Sequence, residues 1–237
     1  MFQDTNIRKA VFGALSKSGV PITTDIRRVI NDLDSFHAMA FLLLPKKTLE
    51  NLYKVKNKLT IGQAFSFVAF PDKHSPYLID AVSKIPGLTK AHALAFRAMS
   101  STRDIETLKR VGSIQNLGEG HAWVFYNLAE GVGRTAEALE EIAKLVIPQR
   151  EERMFLLLEK KSKNLEAFKA FMVMEHSDVQ ANVFGALEES IRTVEVAQNL
   201  LKLDISPLQE AAFMSLANGM HSFAHLKRVI ELKLSEN

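Results

Sequence analysis

Apolar residues recur three and four positions apart along the whole chain, and no stretch alternates with a period of two between hairpin turns. That pattern predicts helices throughout and no sheet. The helices fall into copies. A phenylalanine stands at Phe12, Phe41, Phe67, Phe96, Phe125, Phe155, Phe184 and Phe213, in steps of 26 to 30 residues. One helical turn after each come Leu15, Leu44, Phe70, Met99, Leu128, Leu158, Leu187 and Leu216. Two turns before come Leu33, Leu59, Leu88, Leu117, Ile147 and Ile205, with Asp4 and His176 as the exceptions. Val11-Phe12-Gly13-Ala14-Leu15 returns literally as Val183 to Leu187.

Seven residues before the aligned phenylalanines lie Thr5, Asp34, Thr60, Thr89, Gly118, Pro148, Ser177 and Ser206, mostly residues that cap helix N-termini. Gln63, Gln180 and Gln209, three places after Thr60, Ser177 and Ser206, complete capping boxes. Each unit thus opens with a capped helix of about three turns. Polar or glycine-bearing breaks follow, as at 100–103, 131–135, 162–164 and 218–219. A second amphipathic helix comes next, with apolar spacing such as Ile105, Leu108, Val111 and Ile114. One such pair cannot bury both stripes alone, but stacked pairs can. The expected fold is all-α: an α-solenoid, or α/α superhelix, of about eight two-helix repeats of roughly 29 residues, forming one domain over 1–237 with the terminal repeats as caps. The aligned phenylalanines should centre its layers. Small residues two places later, Ala14, Ala69, Ala98, Ala186 and Ser215, should let neighbouring helices approach closely. Gly118, Gly120, Gly131 and Gly133 make the fifth repeat the expected soft point.

The segment Asn6-Ile7-Arg8-Lys9-Ala10-Val11-Phe12-Gly13-Ala14-Leu15 resembles the Val-Arg-x-x-Ala-x-x-Ala-Leu first helix of short HEAT-like repeats of the phycobilisome-lyase type, with a weaker echo at 178–187. The resemblance implies a binding scaffold. Such repeats mostly hold proteins, with some enzymes and nucleic-acid binders among them.

Composition narrows the chemistry. There is no cysteine, which excludes disulfides, thiolate metal sites and a cysteine nucleophile. No apolar run approaches the roughly 18 residues of a membrane span, so membrane insertion is not expected. The N-terminus lacks the pattern of a signal peptide, giving a cytoplasmic expectation, with a leaderless bacterial effector also compatible. The formal net charge of +3 conceals 17 basic against 10 acidic residues over 1–120, and 13 against 17 over 121–237. Such asymmetry steers anionic partners toward the N-terminal half.

Candidate sites are few. His37, His92 and His121 share the slot four places before the phenylalanine, but successive repeats lie about 10 Å apart, too far for one ion. The slot's other occupants, Arg8, Gln63, Glu151, Gln180 and Gln209, mark it as a polar first-turn position. His221 and His225 share a helix face without a third ligand, and read as a surface pair on the last repeat. Trp123 and Tyr126 could serve as binding anchors. Trp123, however, shares its slot with Met39, Phe65 and Leu94, which argues for core, whereas the slot of Tyr126 also holds Gly13, Arg97 and Met214. The second helices carry Arg27, Arg28, Lys54, Lys56, Lys109, Arg110, Lys169, Lys227 and Arg228, thirteen to sixteen residues after their phenylalanines. These form either a broken basic ladder for phosphates or an acidic protein, or ordinary solvated helix faces. No local nucleophile or acid/base motif is present.

The expected function is therefore a protein-interaction scaffold that binds a peptide or partner surface on its concave face, without enzymatic activity, cofactor or metal. The alternative is a nucleic-acid binder using the basic ladder, and behind it a HEAT-like DNA glycosylase.

Overall fold

The structure is a computed structural model that describes residues 4–71, 74–100, 103–129, 133–217 and 219–232. Sixteen α-helices make up its framework: α1 (Asp4–Lys17), α2 (Thr24–Asn31), α3 (Ser35–Leu43), α4 (Leu49–Lys58), α5 (Ile61–Ala69), α6 (Pro76–Ser83), α7 (Lys90–Ala98), α8 (Ile105–Gly112), α9 (Glu119–Asn127), α10 (Ala136–Ile142), α11 (Gln149–Leu156), α12 (Leu165–Met172), α13 (Asp178–Ala186), α14 (Val194–Leu200), α15 (Pro207–Met214) and α16 (Phe223–Glu231). The described residues contain no strand, so the all-α expectation is met. No helix is long and apolar enough to cross a membrane among the described residues.

Capping sets where the helices start. Asp34, Thr60, Thr89, Ser177 and Ser206 cap α3, α5, α7, α13 and α15, and their side-chain oxygens accept from the first-turn N–H groups. The capping boxes at Gln63, Gln180 and Gln209 are present, and His92 makes a fourth by accepting from the Thr89 N–H. Thr5 departs from expectation, because α1 already begins at Asp4. The even-numbered helices are capped just as regularly, by Thr23, Thr48, Ser75, Asp104, Thr135, Asn164, Thr193 and Ser222. The polar breaks at 131–135 and 162–164 end in two of these caps, Thr135 and Asn164.

The contacts divide the chain into two compact units, residues 1–126 with 135–143, and residues 127–134 with 144–237. Gly131 lies outside the described residues. In the first unit the odd helices pack side by side, α1 on α3, α3 on α5 and α5 on α7, while α4 packs on α6 and α8 on α10. The two layers are joined pair by pair, α1 to α2, α3 to α4, α5 to α6 and α7 to α8. The second unit has the same two-layer order: α11, α13 and α15 in one row, and α12 and α14 in the other.

Between the layers lies the core. Phe41, Phe67, Phe96, Phe125, Phe155, Phe184 and Phe213 are all fully buried. Phe12 is half-buried, with the Arg27 guanidinium 5.9 Å from its ring centre. Small side chains allow the odd helices of the first unit to close up: Ala38, Ala40, Ala64, Ser66, Ala69, Ala93, Ala95 and Ala98 are buried there. Gly62 marks the tightest approach, since a Cβ there would overlap the Leu88 carbonyl at the entry to α7.

Two glycines separate packing from propensity. Gly13, inside α1, has no atom near the place a Cβ would take. Gly13→Ala should therefore raise stability by about 1 kcal/mol in urea denaturation, the helix-propensity gain, while Gly62→Ala should lower it. Phe96→Ala should cost about 3 to 5 kcal/mol, and Phe12→Ala clearly less.

Candidate functional site

The histidine slot resolves into structure. His37 Nε2–H donates to Leu59 O at 2.8 Å, and His92 Nε2–H to Ile114 O at 3.0 Å. Gln63 reaches Ile85 O at 2.9 Å, Gln180 reaches Leu200 O at 2.9 Å, Gln209 reaches Ile230 O at 2.9 Å, and Arg8 reaches Leu33 O at 2.8 Å. Each side chain leaves the first turn of an odd helix, or for Arg8 the second, and ties down a carbonyl at the end of the even helix paired with it. These carbonyls have no partner within their own helix. His121 accepts from the Gly118 N–H at 3.1 Å, and so takes the capping-box role in its turn. Glu151 is the exception, as a carboxylate cannot donate; Arg150 beside it reaches His176 O instead, at 2.5 Å.

His37 bonds Asp34 through Nδ1 while donating through Nε2, which requires the imidazolium. Burial alone would lower its pKa, but the Asp34 hydrogen bond, the Leu59 carbonyl and the Asp34 charge outweigh this and raise it. Burial likewise works to raise the Asp34 carboxyl, yet its bonds from His37 and Phe36 hold it below its usual value. His176, buried to 1% exposure with Nε2–H on Ala197 O, is pushed down by burial. The expected surface pair is partly packed instead: the His221 ring meets Phe213 edge-on at 5.2 Å, and His225 Nδ1 accepts from the Ser222 hydroxyl at 2.8 Å.

The second-helix cations mostly meet carboxylates. In the first unit Lys54 and Lys58 close on Asp80 at 2.5 and 2.7 Å, Lys56 stands 3.8 Å from Asp32, and Lys109 pairs with Glu106 at 2.7 Å. Arg110 bridges Glu137 at 2.5 Å and Glu140 at 2.8 Å, fastening α8 to α10. Hydrogen bonds from Lys54 and Lys58 hold the Asp80 carboxyl below its ordinary value. Arg27 covers Phe12, and Arg28 sits exposed in the last turn of α2, where a cation faces the negative helix end. In the second unit Lys169 pairs with Glu166 at 3.3 Å, the Lys227 ammonium lies 5.3 Å over the Phe223 ring, and Arg228 is exposed in the last turn of α16.

Trp123 is not core. It is 48% exposed, with Tyr126 at 38%, the two rings edge-on at 5.8 Å on α9. The slot that Trp123 shares with Met39, Phe65 and Leu94 is an outer one. Positions six and two before the phenylalanine and one after it form a single helix face, being four and three residues apart. On α3 this face carries Ser35, Met39 and Leu42; on α5, Ile61, Phe65 and Val68; on α7, Lys90, Leu94 and Arg97; on α9, Glu119, Trp123 and Tyr126. All these side chains are half-buried or exposed, Ile61 at 43%. Phe36 stacks on Phe65 with ring centres 4.3 Å apart and planes at 13°, joining α3 to α5 at this surface. The corresponding face of the second unit is mixed, with Gln149, Arg153 and half-buried Leu156 on α11, Asp178, Asn182 and Gly185 on α13, and Pro207, Ala211 and exposed Met214 on α15. Its signature in the sequence is the shared apolar slot, whose recurrence argued for burial and instead marks an apolar surface.

Each unit also carries a groove. One of 630 Å³ runs between α6 and α8 in the first unit, lined by Leu78, Ala81, Ile85 and Ile105 with Tyr77 at its mouth. The other, of 530 Å³ and polar, lies beside Arg150, Glu151 and Asp178 in the second. No group of three or more histidine, aspartate or glutamate side chains that could hold a metal occurs among the described residues. No protein-family model, curated protein or solved structure matches the chain.

His37 carries a pH signature. Its folded pKa is raised above 6.5, so its contribution to stability is complete below the unfolded value and disappears as pH rises through the folded one. His37→Gln keeps the donor to Leu59, as Gln63 does for Ile85, but cannot titrate. The stability advantage of the wild type over His37→Gln, from urea denaturation across mildly acidic to alkaline pH, should therefore shrink as pH increases.

Proposed function

We propose that the protein is a non-enzymatic interaction scaffold: an α-solenoid of eight two-helix repeats that binds a partner protein or peptide on the outer face of its first helices. The reading of the pairs as copies is supported by their common devices, the buried phenylalanine, the capped helix starts and the side-chain clip to the end of the paired helix. One observation carries the binding surface. The helices α3 and α5 contain no Asp, Glu, Lys or Arg and His37 is buried, although both have an exposed face, and that face stacks Phe36 on Phe65 and presents Met39, Leu42, Ile61 and Val68. Apolar side chains grouped on a surface mark a place where another molecule excludes water.

This shifts the anchors expected from sequence. Trp123 and Tyr126 stay among them, while Lys54, Lys56, Lys109, Arg110 and Lys169 are engaged by carboxylates and offer phosphates little net charge. The nucleic-acid reading is accordingly the weaker one.

Phe65→Asp, placed on a half-buried position, should keep the helical circular-dichroism signal while lowering the thermal midpoint through loss of the Phe36 stack. The set of proteins that wild type retains in quantitative affinity capture should be lost by this variant. A capture profile indifferent to Phe65→Asp would refute the surface. Duplex and single-stranded oligonucleotides should show no sub-micromolar binding at low salt.

A further inference from the structure

The charge around the apolar face points to the chemistry of its partner. The sequences of α1, α3, α5 and α7 contain a single acidic residue, Asp4, against Arg8, Lys9, Lys17, Lys90 and Arg97. On α7 the outer face is itself Lys90, Leu94 and Arg97, so the apolar surface of α3 and α5 ends in two exposed cations. Lys46, exposed, follows the end of α3. A partner that covers this surface must bring apolar side chains for the middle and carboxylates for the edge, since cations there would be left facing cations.

The spacing selects the partner's conformation. Packed helices lie about 8 to 10 Å apart, so a segment crossing them meets one apolar row per step of that size. Seven residues of α-helix advance about 10.5 Å and return to the same face. An extended strand covers the same distance in about three residues, and residues three apart on a strand point to opposite faces. A helix with one apolar stripe therefore matches the rows on α3, α5 and α7, while a strand does not.

Resting on the scaffold reading above, we propose that the face formed by α3, α5 and α7 binds an acidic amphipathic helix, its apolar stripe on Phe65, Met39 and Leu94 and its carboxylates against Lys90 and Arg97.

The test uses the full chain and three labelled peptides of about three heptads. The first has leucine on one face and glutamate elsewhere, the second replaces each glutamate with lysine, and the third is the glutamate peptide with a central proline that breaks the helix. Fluorescence anisotropy should show the glutamate helix binding, with the lysine and proline peptides each weaker by about tenfold or more. Lys90→Glu combined with Arg97→Glu should reverse the preference between the first two. Phe65→Asp should abolish binding, and Ile61→Asp, at an exposed first-turn position where an acidic side chain suits the helix dipole, repeats the test should Phe65→Asp fold poorly.

Equal binding of the glutamate and lysine peptides, or a proline peptide that binds as well as its parent, overturns the acidic-helix inference while leaving the apolar surface standing if Phe65→Asp still abolishes binding. Binding of the glutamate peptide that ignores both Phe65→Asp and Ile61→Asp overturns the surface itself. Two other occupants have their own signatures, each of which also overturns the inference when no peptide binds: a Phe65-dependent dimer in sedimentation velocity means a second copy covers the face, and Phe65-dependent cosedimentation with phosphatidylserine vesicles means a membrane does.

Discussion

Short helices leave more of their backbone unsatisfied than long ones, and this chain is built from helices of seven to fourteen residues. Four carbonyls at each C-terminus lack an intrahelical partner, so a helix of eight residues exposes half its acceptors. The donor from the first turn of the paired helix answers that demand. His37, Gln63, His92, Gln180 and Gln209 each sit where a capping residue has already oriented the turn, and each extends to the carbonyls of the even helix. One side chain thus serves two helix ends, and the pair is held in register without a long interface. His92 and the three glutamines are interchangeable in this role because both residue types present an N–H at similar reach while offering an acceptor to the backbone behind it, whereas His37 turns its second nitrogen to the Asp34 carboxylate.

The other helix end is sealed by cations. Lys47 reaches Leu42 O at 2.7 Å, Arg134 reaches Leu128 O at 2.7 Å and Arg192 reaches Leu187 O at 2.8 Å, each from the loop after an odd helix. His74 does the same for Phe67 O at 3.0 Å. In the second unit the loops are tied to one another through the backbone, Ala129 N–H to Lys163 O at 2.7 Å, Glu159 N–H to Arg192 O at 3.2 Å and Glu188 N–H to His221 O at 3.1 Å. Lys47, Arg134 and Arg192 are therefore committed to closing their own helices.

The parts of the fold legible in the sequence were those with a local or periodic cause. The phenylalanine spacing found the core because one buried ring per pair is a packing requirement, and Asp34, Thr60 and Ser177 found the helix starts because capping is local. The clip was only half visible: the slot read as a polar first-turn position, but its long-range acceptor lies twenty or more residues on and has no sequence mark of its own. Trp123 was misjudged for a different reason. Periodicity gives the faces of a helix but not which face meets the interior when two of them are apolar, and on α3 and α5 both are. Nor could the ladder's partners be read, since the carboxylates that meet Lys54 and Arg110 belong to the next pair along, at Asp80 and Glu137.

The neutralised ladder and the apolar face are two aspects of one charge distribution. Residues 1–120 carry 17 basic and 10 acidic residues, and on the even helices of the first unit the two signs largely meet, as at Lys54 with Asp80, Lys56 with Asp32 and Lys109 with Glu106. On α3, α5 and α7 they cannot meet within the layer, because these helices have no Asp or Glu. Lys90 and Arg97 thus stand on the layer that also exposes Phe65 and Leu94, with no carboxylate on α3, α5 or α7. A field that steers an acidic partner acts at the same surface whose apolar side chains would hold it.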